Sequence, residues 1–293
     1  MPLSRLLAPA LLVLALPVAH AQTSISLGLR LGLNAASRSG TEPISWPDFS
    51  SIGTSPGTHN TTYSQDYTRS AVLAPQFGAV LDVRFGKLGI QPAVLLSQKG
   101  ADQRMNSQYT QTTTPYPGSN DPSYTDTSND QYHFVSRPNY LEIPVNLVYT
   151  FGGDNGFQLF GGPYVAFGIG GRAKLEAIRT YNYEGFSNFN GSIYKYGTTT
   201  QLFQDAYPNQ PNTSKSDQYF SFDASSGAIV SRRFDAGLNL GVGYRQGPLQ
   251  VQLGYGLGLI NQQTTKSATM RDDLPAYYQR VTQLTATYFL KVK

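Results

Sequence analysis

The sequence predicts an all-β fold, a closed antiparallel up-and-down transmembrane β-barrel of eight strands with short periplasmic turns and long extracellular loops. Three observations predict it. Eight segments alternate apolar and polar residues, the connections between them alternate between long and short, and aromatic residues bracket an apolar band of bilayer height. A barrel of ten strands is the alternative, because residues 174–200 could add a hairpin.

The N-terminus has the pattern of a secretory signal peptide. A positive charge at Arg5 precedes an apolar run over 6–18 and the triplet Ala19-His20-Ala21, which has small residues at its first and third positions, so we expect cleavage after Ala21. A membrane anchor would need about 20 apolar residues, and this run is shorter and contains proline. We therefore assign 1–21 to a signal peptide and 22–293 to one barrel domain.

The amino-acid composition excludes several classes of function. The chain has no cysteine, which excludes disulfides, zinc–thiolate sites and cysteine nucleophiles. Its formal net charge of +4 without a basic cluster gives no reason to expect nucleic acid as a partner. A polar chain with 29 Gly and 20 Tyr but only 14% charged residues is typical of strands that are apolar on alternate positions.

The eight patterned segments follow one another along the whole mature chain. Their alternating apolar positions span 25–33, 77–85, 90–96, 141–151, 157–169, 234–244, 249–259 and 284–292. The intervening positions carry mainly Gly, Ser, Asn and Gln with isolated charges, which suits a narrow barrel lumen. The alternative is a soluble β-sandwich or lipocalin-like barrel, whose outer face would be rich in Lys, Glu and Thr.

The connections decide the architecture. Three are tight and glycine-containing: 86–89, 152–156 and 246–248. Four are long: 35–70, 102–134, 174–231 and 263–277. With a periplasmic N-terminus, every long connection falls outside the cell, which is the loop asymmetry of outer-membrane barrels.

Aromatic residues give an independent check of the barrel height. Phe157 and Phe167 are ten positions apart, as are Phe234 and Tyr244, and ten tilted strand residues span about 26 Å. We predict an aromatic girdle beside the short turns. Its candidate members are Phe85, Tyr149, Phe151, Phe157 and Tyr244.

Both signs of charge occur on the face predicted to line the lumen. The candidate network consists of Arg30, Asp82, Arg84, Lys99, Glu142, Arg172, Asp235, Arg245 and Lys291. An eight-stranded barrel is only wide enough for side chains to fill it, so these charges should pair in a structural polar core. The alternative is a small anion path in a wider barrel, favoured by the excess of six basic over three acidic residues.

The long loops are rich in Tyr, Thr, Ser and Asn, particularly over 104–133 and 178–220. This composition is typical of binding loops. It equally fits strands that project beyond the bilayer and are stabilised by aromatic cross-strand pairs. Both interpretations stay open.

Catalysis finds little support in the sequence. After signal cleavage only His59 and His133 remain, and a triad of His133 with Ser136 and Asp130 would need convergence of residues that are abundant in any polar loop. We predict a protein that is not an enzyme, with no catalytic residue, no metal site and no cofactor. The expected partners are outer-membrane lipid and an extracellular ligand or another envelope protein.

The segment 140–149, Tyr-Leu-Glu-Ile-Pro-Val-Asn-Leu-Val-Tyr, resembles the PorT-like outer-membrane β-barrel family of Bacteroidota. The resemblance implies glycine-rich strands on either side, an inward Glu142 salt-bridged to a lumen arginine, and a break in strand pairing at Pro144. The family's name-giving member is associated with protein secretion and gliding, so the resemblance implies a scaffold or partner-binding role.

Together these features predict a protein of the bacterial cell outer membrane with a filled polar lumen. The leading hypothesis is surface binding, adhesion or envelope scaffolding through the long Tyr-rich loops. The alternatives are a small passive channel for ions or small solutes, and an accessory component of a secretion system.

Overall fold

The computed structural model describes residues 23–40, 57–153, 155–184, 192–201, 232–262 and 276–291. The predicted signal peptide and its cleavage site lie outside the described residues, as do large parts of the loops predicted at 35–70, 174–231 and 263–277. No helix in the described part of the chain is long and apolar enough to cross a membrane.

The described residues form eleven strands. They are β1 (Thr23–Gly40), β2 (Thr58–Ser70), β3 (Val72–Phe85), β4 (Leu88–Gln98), β5 (Ala101–Thr114), β6 (Tyr124–Thr150), β7 (Gly156–Glu184), β8 (Ser192–Gln201), β9 (Phe234–Gln246), β10 (Leu249–Gly258) and β11 (Tyr277–Lys291).

Eight of these strands pair in a ring. Following the antiparallel pairings, β1 leads to β3, β4, β6, β7, β9, β10 and β11, and β11 pairs again with β1. The prediction of an eight-stranded antiparallel barrel is confirmed. The hairpin of β7 and β8 does not widen the ring, because β7 also pairs with β9 closer to the short turns.

The other three strands extend the barrel at its loop end, the end of the long connections. Strands β2, β5 and β8 join the outer halves of β6 and β7 in a sheet of order β2-β5-β6-β7-β8, which we call the projecting sheet. The prediction of loops over 35–70, 102–134 and 174–231 was therefore wrong wherever described strands continue beyond the barrel wall, which they do at 35–40, 58–70, 102–114, 124–134, 174–184 and 192–201.

Three tight turns close the opposite end, the turn end. Phe85 pairs with Leu88, and Gln246 pairs with Leu249, so each of these hairpins has a two-residue connection. Gly86 and Gly247 adopt φ of 64° and 58° there, a conformation that costs glycine little. The third turn, between β6 and β7, has Gly153 at φ 73°.

The side chains on the two faces of the ring follow the predicted alternation. Apolar side chains face outward, such as Leu29 and Leu31 at 67% and 68% exposure, while inward Gln91 and Gln158 are buried. A continuous exposed apolar surface with a polar interior is the reverse of a soluble barrel. The outward face is thus built for lipid.

The predicted girdle residues lie on this outer face at the turn end. Tyr149, Phe151, Phe157 and Tyr244 are exposed, and Phe85 is half-buried. Tyr149 and Phe151 form an edge-to-face pair with ring centroids 5.0 Å apart. Their contact with a membrane interface stays a prediction.

Glycines on the inner face make room for three inward aromatic rings. A Cβ added at Gly254 would lie 2.9 Å from Cζ of Phe160, one at Gly237 would lie 2.7 Å from Cε1 of Tyr164, and one at Gly28 would lie 2.7 Å from Cδ1 of Phe289. Glycine on the inner face therefore leaves the space that these aromatic rings occupy.

This packing gives a testable prediction at Gly254. Gly254→Ala is expected to lower the free energy of unfolding by about 1–3 kcal/mol, because the added methyl group displaces the Phe160 ring. Urea unfolding in lipid vesicles, read by the gel-mobility shift of the folded barrel, measures the change. Gly170→Ala is the control, since nothing lies within 4 Å of its new Cβ. Equal stability of both variants, or no recovery on adding Phe160→Leu to Gly254→Ala, would contradict the packing.

Candidate functional sites in the lumen and the projecting sheet

Seven of the nine predicted network residues are buried inside the ring. They are Arg30, Asp82, Arg84, Lys99, Glu142, Asp235 and Arg245. The Lys291 side chain lies outside the described residues. Arg172 is exposed on the outer face, so its assignment to the lumen was wrong.

A β-bulge explains the position of Arg172. Asn139 pairs with Gly170 but Tyr140 pairs with Gly168, so Ile169 is an extra residue in β7. One extra residue reverses which face each following side chain occupies. Even-numbered β7 residues face the lumen below the bulge and the outside above it.

The first charge cluster surrounds Asp82 near the turn end. Arg245 Nη1 donates to Asp82 Oδ2, Arg84 Nε lies 3.9 Å from the same oxygen, and Gln91 Nε2 donates to Oδ1 at 3.0 Å. The Arg84 guanidinium also donates to Thr150 Oγ1 at 2.7 Å. One buried carboxylate thus serves two buried guanidinium groups.

The second cluster surrounds Lys99 toward the loop end. Lys99 Nζ lies 2.9 Å from Glu142 Oε2 and 3.4 Å from Asp235 Oδ2. The Tyr164 hydroxyl donates to Asp235 Oδ2 at 3.0 Å, and Lys99 Nζ also lies 4.4 Å from the centroid of the Tyr164 ring. Here one buried cation serves two carboxylates, the reverse of the Asp82 cluster.

Arg30 occupies the space between the clusters. Its Nε donates to Thr287 Oγ1 at 3.0 Å and its Nη2 to Gln252 Oε1 at 3.1 Å. It lines a cavity of about 10 Å³ together with Glu142, which is room for about one water molecule. The described side chains therefore fill this level of the barrel.

Two other contributors to this filling lie outside the predicted charge network. Arg38 is buried, with its guanidinium carbon 4.4 Å from the Tyr277 ring centroid; it lay in a predicted loop because the apolar alternation of β1 fades before it. Glutamines supply neutral hydrogen-bonding bulk in the lumen. The buried ones inside the ring are Gln76, Gln91, Gln158, Gln250, Gln252, Gln262 and Gln279.

Two expectations drawn from the family resemblance can be compared with the geometry. Glu142 does face the lumen, but its ion pair is with Lys99 and not with an arginine. Pairing between β4 and β6 stops at Pro92–Val145 and resumes at Leu95–Glu142. This gap contains Pro144, which has no N–H to donate.

The projecting sheet carries its own ion pair. The Arg179 guanidinium donates through Nε and Nη2 to both carboxylate oxygens of Asp130, a bidentate geometry. Burial, followed by the charge of Asp130, raises the pKa of neighbouring Tyr132 to about 12. At the sheet edge, β2 is exposed along almost its whole length.

His133 does not contact Ser136 or Asp130, so the structure does not form the triad of these three residues. It lies on the outer face, where its Nε2 is 3.1 Å from Asp102 Oδ1 and its Nδ1 is 3.6 Å from Glu176 Oε2. Ser136 and Asp130 are on the opposite, buried face of β6. His59 contacts Thr113 instead, with its Nδ1 3.1 Å from the hydroxyl. Among the described residues, no group of three His, Cys, Asp or Glu could hold a metal ion.

Comparison with solved structures finds outer-membrane proteins of low identity. The translocator domain of autotransporter NalP from Neisseria meningitidis is 7% identical, with a TM-score of 0.20 and coverage of 97% of this chain and 95% of that chain. The outer membrane channel DcaP of Acinetobacter baumannii is 10% identical, with a TM-score of 0.20 and coverage of 93% and 98%. These scores support no inference about function.

Comparison by sequence gives a firmer result. A search of curated proteins finds no match. The family described as outer membrane protein beta-barrel domain matches residues 20–262, which is most of the chain and includes seven of the eight ring strands. The exposed apolar outer face and the ring of eight strands agree with that match. The chain belongs to the outer membrane protein beta-barrel domain family and is a β-barrel of the bacterial outer membrane.

Proposed function

We propose that the barrel is an anchor and that its projecting sheet binds partners outside the cell, so that the protein acts in surface binding, adhesion or envelope scaffolding. One observation carries this proposal: the lumen is filled, whereas β6 and β7 continue far beyond the ring. From Tyr124 to Asn139, the outer half of β6 is about 50 Å long at about 3.4 Å per residue.

The free edge of the projecting sheet is the best candidate for contact. In the described part of the chain β2 pairs only with β5, and no described strand pairs with its other side. Such an edge can accept an extended strand from a partner. Tyr63 on β2 and Tyr116 beyond β5 are 61% and 60% exposed, and they supply aromatic surface beside polar Thr, Gln and Asn.

Display of the protein on bacterial cells tests this function. Cells carrying the wild-type protein are expected to remain on at least one of immobilised collagen, fibronectin or mucin, or to aggregate with one another, more than cells with an empty vector. Thr61→Pro and Thr62→Pro are made as separate variants. Along a strand, successive backbone N–H groups point to opposite sides. One of the two prolines therefore removes an N–H from the outer side of β2 and leaves its pairing with β5 intact.

The variant that folds is expected to lose adhesion, whereas Lys87→Ala at the turn end should retain it. Heat-modifiable gel mobility identifies which proline variant is folded. A wild-type protein that neither adheres nor aggregates, or a folded pair of proline variants that adhere fully, would refute the role of this edge.

Passive transport is the second candidate, and the charges of the lumen are its basis. Inside the ring, below the projecting sheet, the described residues include five buried basic side chains and three acidic ones, an excess that would favour anions. We expect the filled barrel to be silent in planar bilayers at high salt. Steady, discrete openings would favour the channel and would mean that the packed interior rearranges.

The resemblance at 140–149 supports a finer assignment to the PorT-like group. An accessory role in secretion follows only from that assignment and stays a prediction.

A further inference from the structure

Two arginines lie side by side on the outer face where β6 and β7 leave the barrel. Arg137 and Arg172 are direct partners in the antiparallel register, and both side chains are exposed. Lys174, the next outward residue of β7, is exposed as well. Like charges directly opposite each other destabilise a sheet. A bound anion would offset the repulsion between these two guanidinium groups.

The carboxylates on this face already have other partners. Glu176 Oε1 is 2.6 Å from Lys174 Nζ, and Asp102 Oδ1 is 3.1 Å from His133 Nε2. The hydrogen bond and the charge of Lys174 lower the pKa of Glu176. Within the part of the chain that the structure describes, neither Arg137 nor Arg172 has an acidic side chain at salt-bridge distance.

The height of the arginines places them at the level of lipid headgroups. Phe167 and Ile169, just below on β7, are exposed apolar residues of the lipid-facing surface. Arg172 is at most about 10 Å farther along the strand at about 3.4 Å per residue. Basic side chains at this border reach the headgroup layer of a bilayer.

The bulge brings this pair together. Without the extra Ile169, Arg172 would face the lumen and Arg137 would stand alone on the outer face. Bulges commonly redirect a side chain for a purpose. Here the redirected side chain is that of Arg172, which joins Arg137 to form a pair of cations on the outer face.

We propose that Arg137 and Arg172 bind a phosphate of an outer-leaflet lipid, namely lipid A, whose glucosamine headgroup carries phosphate at this height. The groove they share with Val135, His133, Lys174 and Glu176 has a volume of about 370 Å³ and opens outward. Guanidinium groups bind phosphate oxygens in bidentate geometry. The site holds the barrel at a fixed depth and does not depend on what the projecting sheet binds.

Titration of the purified mature protein in detergent micelles with bis-phosphorylated lipid A tests the proposal, with native mass spectrometry counting the bound lipid. The Arg137→Gln/Arg172→Gln variant is expected to bind at least about tenfold more weakly, because two charge-assisted contacts are lost. Arg69→Gln/Lys87→Gln removes the same charge elsewhere and should bind like wild type. Dephosphorylated lipid A should bind wild type as weakly as the double variant binds lipid A.

Thermal unfolding without lipid separates binding from structure. Relief of the like-charge contact should leave the Arg137→Gln/Arg172→Gln variant at least as stable as wild type, and added lipid A should stabilise only the wild type. Equal binding by both proteins, equal binding of dephosphorylated lipid A, or a lower melting temperature of the lipid-free double variant would each overturn the proposal.

Discussion

Replacement of Lys99 by methionine is expected to lower the free energy of unfolding by about 3–5 kcal/mol. The substitution would remove the ion pairs that buried Glu142 and Asp235 both form with Lys99 Nζ. Urea titration of the mature protein in phospholipid vesicles, followed by the gel-mobility shift, measures the loss.

Neutralising the whole cluster provides the matched control. Lys99→Met/Glu142→Gln/Asp235→Asn removes the uncompensated charges along with the cation and should recover most of the stability. Lys87→Met, an exposed lysine in the first short turn, should stay within about 0.5 kcal/mol of wild type. A single Lys99→Met variant as stable as the Lys87 control would mean that water reaches this level of the lumen.

The second large effect is expected at Asp82. Asp82→Asn keeps the shape of the side chain but removes the carboxylate to which the buried guanidinium group of Arg245 donates, so we again expect a loss of about 3–5 kcal/mol. The same vesicle titration measures it.

A double-mutant cycle isolates the pair. Asp82→Asn/Arg245→Gln should be more stable than Asp82→Asn alone, because the buried cation that lost its carboxylate is also removed. If the double variant loses the sum of both single losses, the two side chains are uncoupled and the cluster is incorrectly described.

The barrel itself could be predicted because lipid imposes a pattern on the chain. A strand such as β10 needs an apolar residue at every second position on its lipid face, and that alternation is visible in the sequence. The ring order and the burial of Asp82, Glu142 and Asp235 follow from it directly.

The projecting strands carried no comparable signal. Strand β2 reads Thr-His-Asn-Thr-Thr-Tyr-Ser-Gln and has water on both sides, so neither face requires apolar residues. Without an apolar face, alternation disappears and a strand looks like a loop. Tyr-rich composition was compatible with such strands but did not locate them.

The misplacement of Arg172 has a different cause. Alternation is counted residue by residue, and one bulge at Ile169 inverts every later assignment on β7. The glycines at 168, 170 and 171 make the local chain permissive, but glycine in a strand does not reveal which position is extra. Only the register against β6 shows it.

The unbroken course of β6 and β7 also has a mechanical consequence. Apart from the bulge at Ile169 and a gap after Pro144, their pairing runs from the third short turn to the outer end of the projecting sheet, with antiparallel hydrogen bonds perpendicular to the strands. Tension applied to the sheet along these strands would load many of those bonds at once, in shear, and would pass into the barrel wall instead of peeling the sheet away. A cell tethered through this sheet would thus be held by the lipid-embedded ring.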